Sequence, residues 1–268
     1  MSATRYFRLL TALARYSLAR ELAFRGNFIA RITVEVLWLG ILLIFYRVVF
    51  RQTGVVAEWT EWQFLFFVGC HYALGGIIET FFLDNCNSFA DLIRSGDLDF
   101  YLLQPIDEQF LVTCRTIDWA TAPNVVLGAV VMVLALIQMD WTFDAVRVGA
   151  FFLMFGCGVA LAYCFMLLLM STSVWLVRNQ SLYELWWLFT SLMRYPREIW
   201  TGTWAAPLGF FFTFIIPAML VVSVPASTMV QVFEPKVMAF TAAATVVLLI
   251  ASRKFFRFAL RRYRSASS

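Results

Sequence analysis

Apolar runs of about 20 residues recur along this chain, separated by short polar stretches, which is the pattern of helices that cross a bilayer. Such runs cover about 28–49, 62–83, 120–139, 148–177, 204–224 and 237–256. They predict an all-α polytopic membrane protein with six transmembrane helices in one domain over 1–268. Ahead of the first run, residues 1–27 place Tyr6, Leu9, Leu10 and Leu13 on one side of a helix and Arg5, Arg8 and Arg15 opposite. That amphipathic pattern holds to about Tyr16 and suits an interfacial helix in the headgroup layer. With no uninterrupted apolar core, the stretch does not read as a cleavable signal.

Two stretches depart from the alternation. Between the second and third spans lies a polar island, residues 84–118, with acidic side chains at Asp84, Asp91, Asp97, Asp99, Asp107, Glu108 and Asp118. Asn87 or Ser88 can cap a short helix through Phe89, Leu92 and Ile93 that Gly96 ends, and Asp107 can cap another after the break at Pro105. A capped helix of this kind is something a soluble partner can grip; a plain solvated loop is the simpler alternative. The other stretch, Leu182 to Met193, is short for a span and includes Glu184, so it predicts a broken or interfacial helix ending at Pro196. In the fifth run, Pro207 and Pro217 predict a kink.

Composition agrees with the pattern: 62% of residues are hydrophobic and 14% charged, where soluble domains carry about a quarter charged. Arg and Lys crowd the two chain ends, with further arginines in the island (Arg94, Arg115) and after the fourth span (Arg178, Arg194, Arg197), whereas opposite loops hold Arg51, Arg147 and Lys236. The positive-inside rule then puts both termini, the island and the stretch from Arg178 in the cytoplasm.

Charged side chains inside spans are candidates for a transport pathway. Arg31 and Glu35 are four residues apart on one helical face and can pair, His71 is the one histidine of the chain, and Glu79 lies deeper, with Arg31 as a partner within reach. Gly75 and Gly76 suit close helix packing. No metal-ligand spacing appears, and the 5 cysteines form no CxxC pair. No phosphate loop, dinucleotide fingerprint, zinc-protease motif or serine triad is present. ATP-driven work therefore requires a separate ATPase, and nothing suggests a nucleic-acid partner.

The string GDLDFYLLQPIDEQFLV, with its G-x-L-D-x-x-L-L-x-P core, resembles the cytoplasmic segment of the ATP-binding-cassette type 2 permease family. RYPREIW followed by FFFTFIIPAMLVVSVPA is similar to the late part of the same branch, although Gln104 stands where that branch often has a basic residue. The resemblance implies an exporter-like permease of a bacterial inner membrane, two permeases pairing with two cytoplasmic ATPase subunits that bind ATP and magnesium. It also implies a coupling helix from Ser88 through Gly96 to Leu98, with Phe89, Leu92 and Ile93 as apolar anchors in the ATPase and Asp91, Arg94 and Asp97 as polar contacts. A secondary transporter without an ATPase, or a membrane enzyme using carboxylates, are the competing classes.

Overall fold

The computed structural model describes residues 3–176, 180–201 and 205–263, almost all of them helical. Arg178, Trp204 and the last basic residue, Arg264, lie outside the described residues. Helix α1 (Ala3–Ala23) runs on past Tyr16 and is followed by α2 (Arg25–Thr53). A two-residue hairpin pairs Val55–Val56 with Trp59–Thr60 through Ala57 and Glu58, both at positive φ. Next come α3 (Glu61–Ile78) and a π-helical turn over Glu79–Leu83. The island folds into α4 (Asp84–Asn87), α5 (Phe89–Ser95), α6 (Leu98–Leu102) and α7 (Glu108–Thr113). The chain continues through α8 (Pro123–Gln138), α9 (Ala145–Leu176), α10 (Gln180–Met193), α11 (Ala206–Phe210) with a π turn over Phe211–Ile215, α12 (Ala218–Val230) and α13 (Pro235–Arg262).

Among the described residues, four helical stretches are long and apolar enough to cross a membrane: α2, α3 with its continuation to Ser95, α9 and α13. α8 is apolar but shorter, starting at Pro123, where a missing N–H costs nothing in the first turn. The core is the interior of the bundle. Phe64, Phe66, Phe67, Leu74 and Ile78 of α3 are fully buried, as are Leu161, Met166 and Leu167 of α9 and Leu220 to Val222 of α12. Backbones approach closely where side chains vanish: a Cβ on Gly128 would come within 2.5 Å of the Gly69 carbonyl oxygen, and one on Gly76 within 2.9 Å of the Val125 nitrogen. Gly75, paired with Gly76 in the sequence reading, faces open space.

The fifth expected span carries the kink its prolines predicted, and the bend is sharp enough for a broken span or a re-entrant hairpin. Residues 206–215 and 218–230 form two arms bent by 87° at Ile216 and Pro217. Proline lacks the N–H that would continue the first arm, and Ile216 takes an extended backbone there. Both arms return to one end of the bundle: Ala206 and Val230 line the same cavity, and Gln63, at the start of α3, donates to the Val230 carbonyl at 3.1 Å. α10 follows α9 directly in the bundle. It is a single helix that ends three residues before Pro196, with Trp186, Phe189 and Met193 buried, Phe189 stacked on Phe165 of α9 at 4.1 Å, and Trp187 and Leu188 exposed on the other side.

Candidate functional site

Polar side chains gather in two places, the island end of the bundle and a face shared by α2, α3 and α10. At the island end, α5 forms as its punctuation predicts: Gly96 ends it in the left-handed conformation at φ 79. Ser88 stands at its start, but its hydroxyl donates back to the Asp84 carbonyl at 2.8 Å instead of capping. The apolar side of α5 turns inward. Phe89 is 0% exposed, Leu92 7% and Ile93 8%, and the Phe89 ring lies 6.2 Å from that of Phe256 on α13. Leu98 is buried too. Phe89, Leu92 and Ile93, expected as apolar anchors in a partner, are thus core side chains of this chain, as is Leu98 at the expected helix end. Asp91, Arg94 and Asp97 do face outward, Asp91 and Arg94 paired to each other. The exposed apolar groups come just afterwards: Phe100 is 68% exposed and Leu103 81%, beside Gln104, Pro105 and a cleft of about 310 Å³. Their signal was in the sequence, an apolar pair in the LDFYLLQP run, but spacing alone did not say which apolar side chains the chain would keep for itself.

The island is held rigidly. Buried Asn85 donates to the carbonyls of Phe81 and Thr116 and accepts from the Thr116 N–H and hydroxyl, at 2.7–3.0 Å. Arg115 bonds the Ser88 hydroxyl and lies 5.8 Å from the Tyr101 ring centre. Asp107 caps α7 by accepting from the Phe110 N–H at 3.2 Å and pairs with Arg253 of α13 at 2.5 Å. Burial pushes its carboxyl up, but the Arg253 hydrogen bond, the Phe110 N–H and the charges of Arg253 and Arg257 outweigh this and hold it below the ordinary value of 3.8. α1 docks on the same segment. Ser17 accepts from the Ile117 N–H at 3.1 Å, Glu21 from the Trp119 N–H at 2.9 Å, and the Tyr6 hydroxyl from the Asp107 N–H at 3.3 Å. Both chain ends are thus strapped to the island.

The candidate pathway residues are rearranged relative to expectation. Arg31 and Glu35 do not pair with each other: Arg31 binds Asp118 at 2.5 Å, and Glu35 accepts from Asn124 at 3.0 Å. The segment returning from the island brings these partners, which a local reading of α2 could not supply. Glu79 finds no cation. Its charged neighbours are Glu35, Asp118 and Asp84, and Arg31 is already engaged by Asp118. Further along α3, the Nδ1 of His71 is buried with no partner, next to the Tyr72 ring at 6.1 Å. Arg194, one residue past the end of α10, is the charged neighbour of His71, Tyr46 and Tyr72, and its Nε is buried without a partner. The structure therefore brings Glu35, His71 and Glu79 onto one face and adds Tyr46, Tyr72, Asn124 and Arg194. Among the described residues no His, Cys, Asp and Glu cluster could hold a metal ion.

At the end away from the island, a cavity of about 880 Å³ opens between the bent arms and the rest of the bundle. Arg197 bonds Glu198 at 2.8 Å and Glu234 at 2.6 Å, and the Trp59 indole donates to Glu198 at 3.1 Å. Expected on the island side, Arg197 instead lies with Trp59 and Glu234 at the opposite end.

No curated protein matches this chain, and no solved structure matches it. A family profile, that of ABC-2 family transporter proteins, matches residues 36–267, from within α2 to beyond α13. With apolar helices long enough to cross a bilayer and a polar, unpaired interior face, the match over most of the chain's length makes this protein a membrane-embedded transport component, and the chain belongs to the ABC-2 transporter family.

Proposed function

We propose that this chain is the membrane half of an ATP-driven exporter, working as a pair of permeases with two separate ATPase subunits. The observation that carries this reading is the island: a compact set of short helices, strapped to both chain ends, that leaves Phe100 and Leu103 bare next to the charged Asp91, Arg94 and Asp97. Large exposed apolar side chains outside the bilayer-spanning helices, rimmed by charge, suit a protein partner. Force delivered there passes through the Asn85 clamp to α3 and through the Asp107–Arg253 pair to α13. The docking element is thus the α6 end and Pro105 turn, with α5 as its support.

In this arrangement α2, α3, α8, α9, α10 and α13 cross the membrane, and the α11–α12 hairpin enters and leaves on the outer side. Six crossings place both termini and the island in the cytoplasm, as their arginines favour. The face with Glu35, Glu79, His71 and Arg194 borders the translocation path, which a second permease completes.

Copurification tests the reading. Purified from its own cells, the chain is expected to hold a cytoplasmic ATPase subunit through detergent extraction. Phe100→Asp with Leu103→Asp is expected to release it while the permease keeps its thermal midpoint. Transport by the permease alone, with no ATPase present, would overturn the proposal.

A further inference from the structure

Arg194 is a guanidinium without a hydrogen bond or an ion pair among the described residues, its Nε closed off from solvent. Its position is deep. Tyr46, one of its neighbours, sits about 10 Å before the Thr53 end of α2, and His71 about 15 Å into α3. The carbonyls ending α10 offset part of the cost of a charge at that depth, but an arginine buried there without a partner is retained where something binds it. The groups around it can donate: His71 Nδ1 is buried and without a partner among the described residues, and Arg194 is the cationic neighbour of the Tyr46 and Tyr72 hydroxyls. No carboxylate answers Arg194. Glu35 and Glu79 border Tyr72 on the island side, where they repel negative charge and confine it to the Arg194 end.

We propose that Arg194, His71, Tyr46 and Tyr72 form a seat for the anionic group, phosphate or carboxylate, of the molecule this permease carries. A planar guanidinium with hydroxyl and imidazole donors matches the oxygens of such a group. Beside Tyr46 on α2, Ile41, Ile44 and Phe45 are exposed, the Phe45 ring 5.4 Å from that of Tyr46, and they suit an apolar tail, so the ligand class is an anionic amphiphile. This inference rests on the transport reading and names its substrate class.

The test is equilibrium binding of radiolabelled dodecyl phosphate to the full chain in dodecyl maltoside micelles, which carry no phosphate of their own. Saturable binding is expected, with dodecyltrimethylammonium a poor competitor. Arg194→Gln is expected to weaken binding ~10-fold or more, and Tyr72→Phe and Arg194→Lys by a few-fold each, the lysine keeping charge but losing the fork. The milder variants keep the test decisive if Arg194→Gln fails to fold. Competition by inorganic phosphate at equal concentration would support a small-anion seat, and its failure a lipid-like headgroup; either outcome keeps the anion. Unchanged binding in a folded Arg194→Gln, or tighter binding of the ammonium, would overturn the proposal. So would loss of self-association without loss of binding, which would assign Arg194 to a carboxylate of a second copy. Because the assay contains no ATPase, a negative result leaves the membrane-half reading standing, and an absent ATPase leaves the binding result intact.

Discussion

Asn85 shows how one side chain sets the island's geometry. Its amide makes hydrogen bonds with both the segment leaving α3 and the segment returning at Thr116, all shielded from water. Asn85→Ala leaves several buried partners unsatisfied, each costing about 1–3 kcal/mol. A clear drop in thermal midpoint and faster proteolysis within 84–118 are expected, and an unchanged protease pattern would contradict the clamp. Burial also separates two kinds of apolar residue that look alike in sequence. Phe89→Ala is expected to cost about 3–5 kcal/mol of stability, as buried aromatic truncations do. Phe100→Ala, at an exposed position, is expected to change stability by less than about 0.5 kcal/mol. Parallel thermal melts of the two variants check this.

Between elements, α3 and α8 meet closely where Gly69 and Gly128 let the backbones approach. A methyl on Gly128 would lie 2.5 Å from both the Ala73 nitrogen and the Gly69 oxygen, and backbone cannot rotate away as a side chain can. Gly128→Ala is expected to destabilise by roughly 1–3 kcal/mol through overpacking, read as a lowered melting temperature. The α7–α13 strap is pH-dependent. Since Asp107 is held below 3.8 in the folded chain, its contribution is complete above that value and is lost as pH falls through the lower folded value. Arg253 is partly exposed, so solvent screening limits the contribution to about 1 kcal/mol. Melting of the wild type is expected to fall more steeply below pH 4 than that of Asp107→Asn, which starts lower; identical profiles would remove the strap.

For the whole molecule, the bent arms reconcile the helix count with the charge distribution. If α10 crosses and 206–230 re-enters, the number of crossings stays even, and the arginine-rich ends remain together. Single cysteines at Ile199 and Val232, both exposed, are then expected to react with an impermeant maleimide from the same side, and one at Leu103 from the other. Labelling of 199 and 232 from opposite sides would restore a simple crossing. In the proposed orientation Arg197 lies on the outer side, bonded to Glu198 and Glu234, and the bias persists because the arginines of the two chain ends and the island still outnumber those outside.

Local chemistry was legible wherever it acts within a turn or two of helix. The apolar runs, the αL stop at Gly96 and the Asp107 cap depend on neighbours in sequence, as does the amphipathic start of α1, so the chain itself determined them. Partners far along the chain were decided by tertiary structure. Arg31 chose Asp118 over Glu35, Arg197 met Glu234, and Phe89 turned inward while Phe100 stayed bare, because packing brings together residues that periodicity cannot relate. Within the fifth run the sequence marked the kink at Pro217 but not its 87°, because hydropathy measures how apolar a stretch is and the direction taken after the proline depends on what α12 packs against.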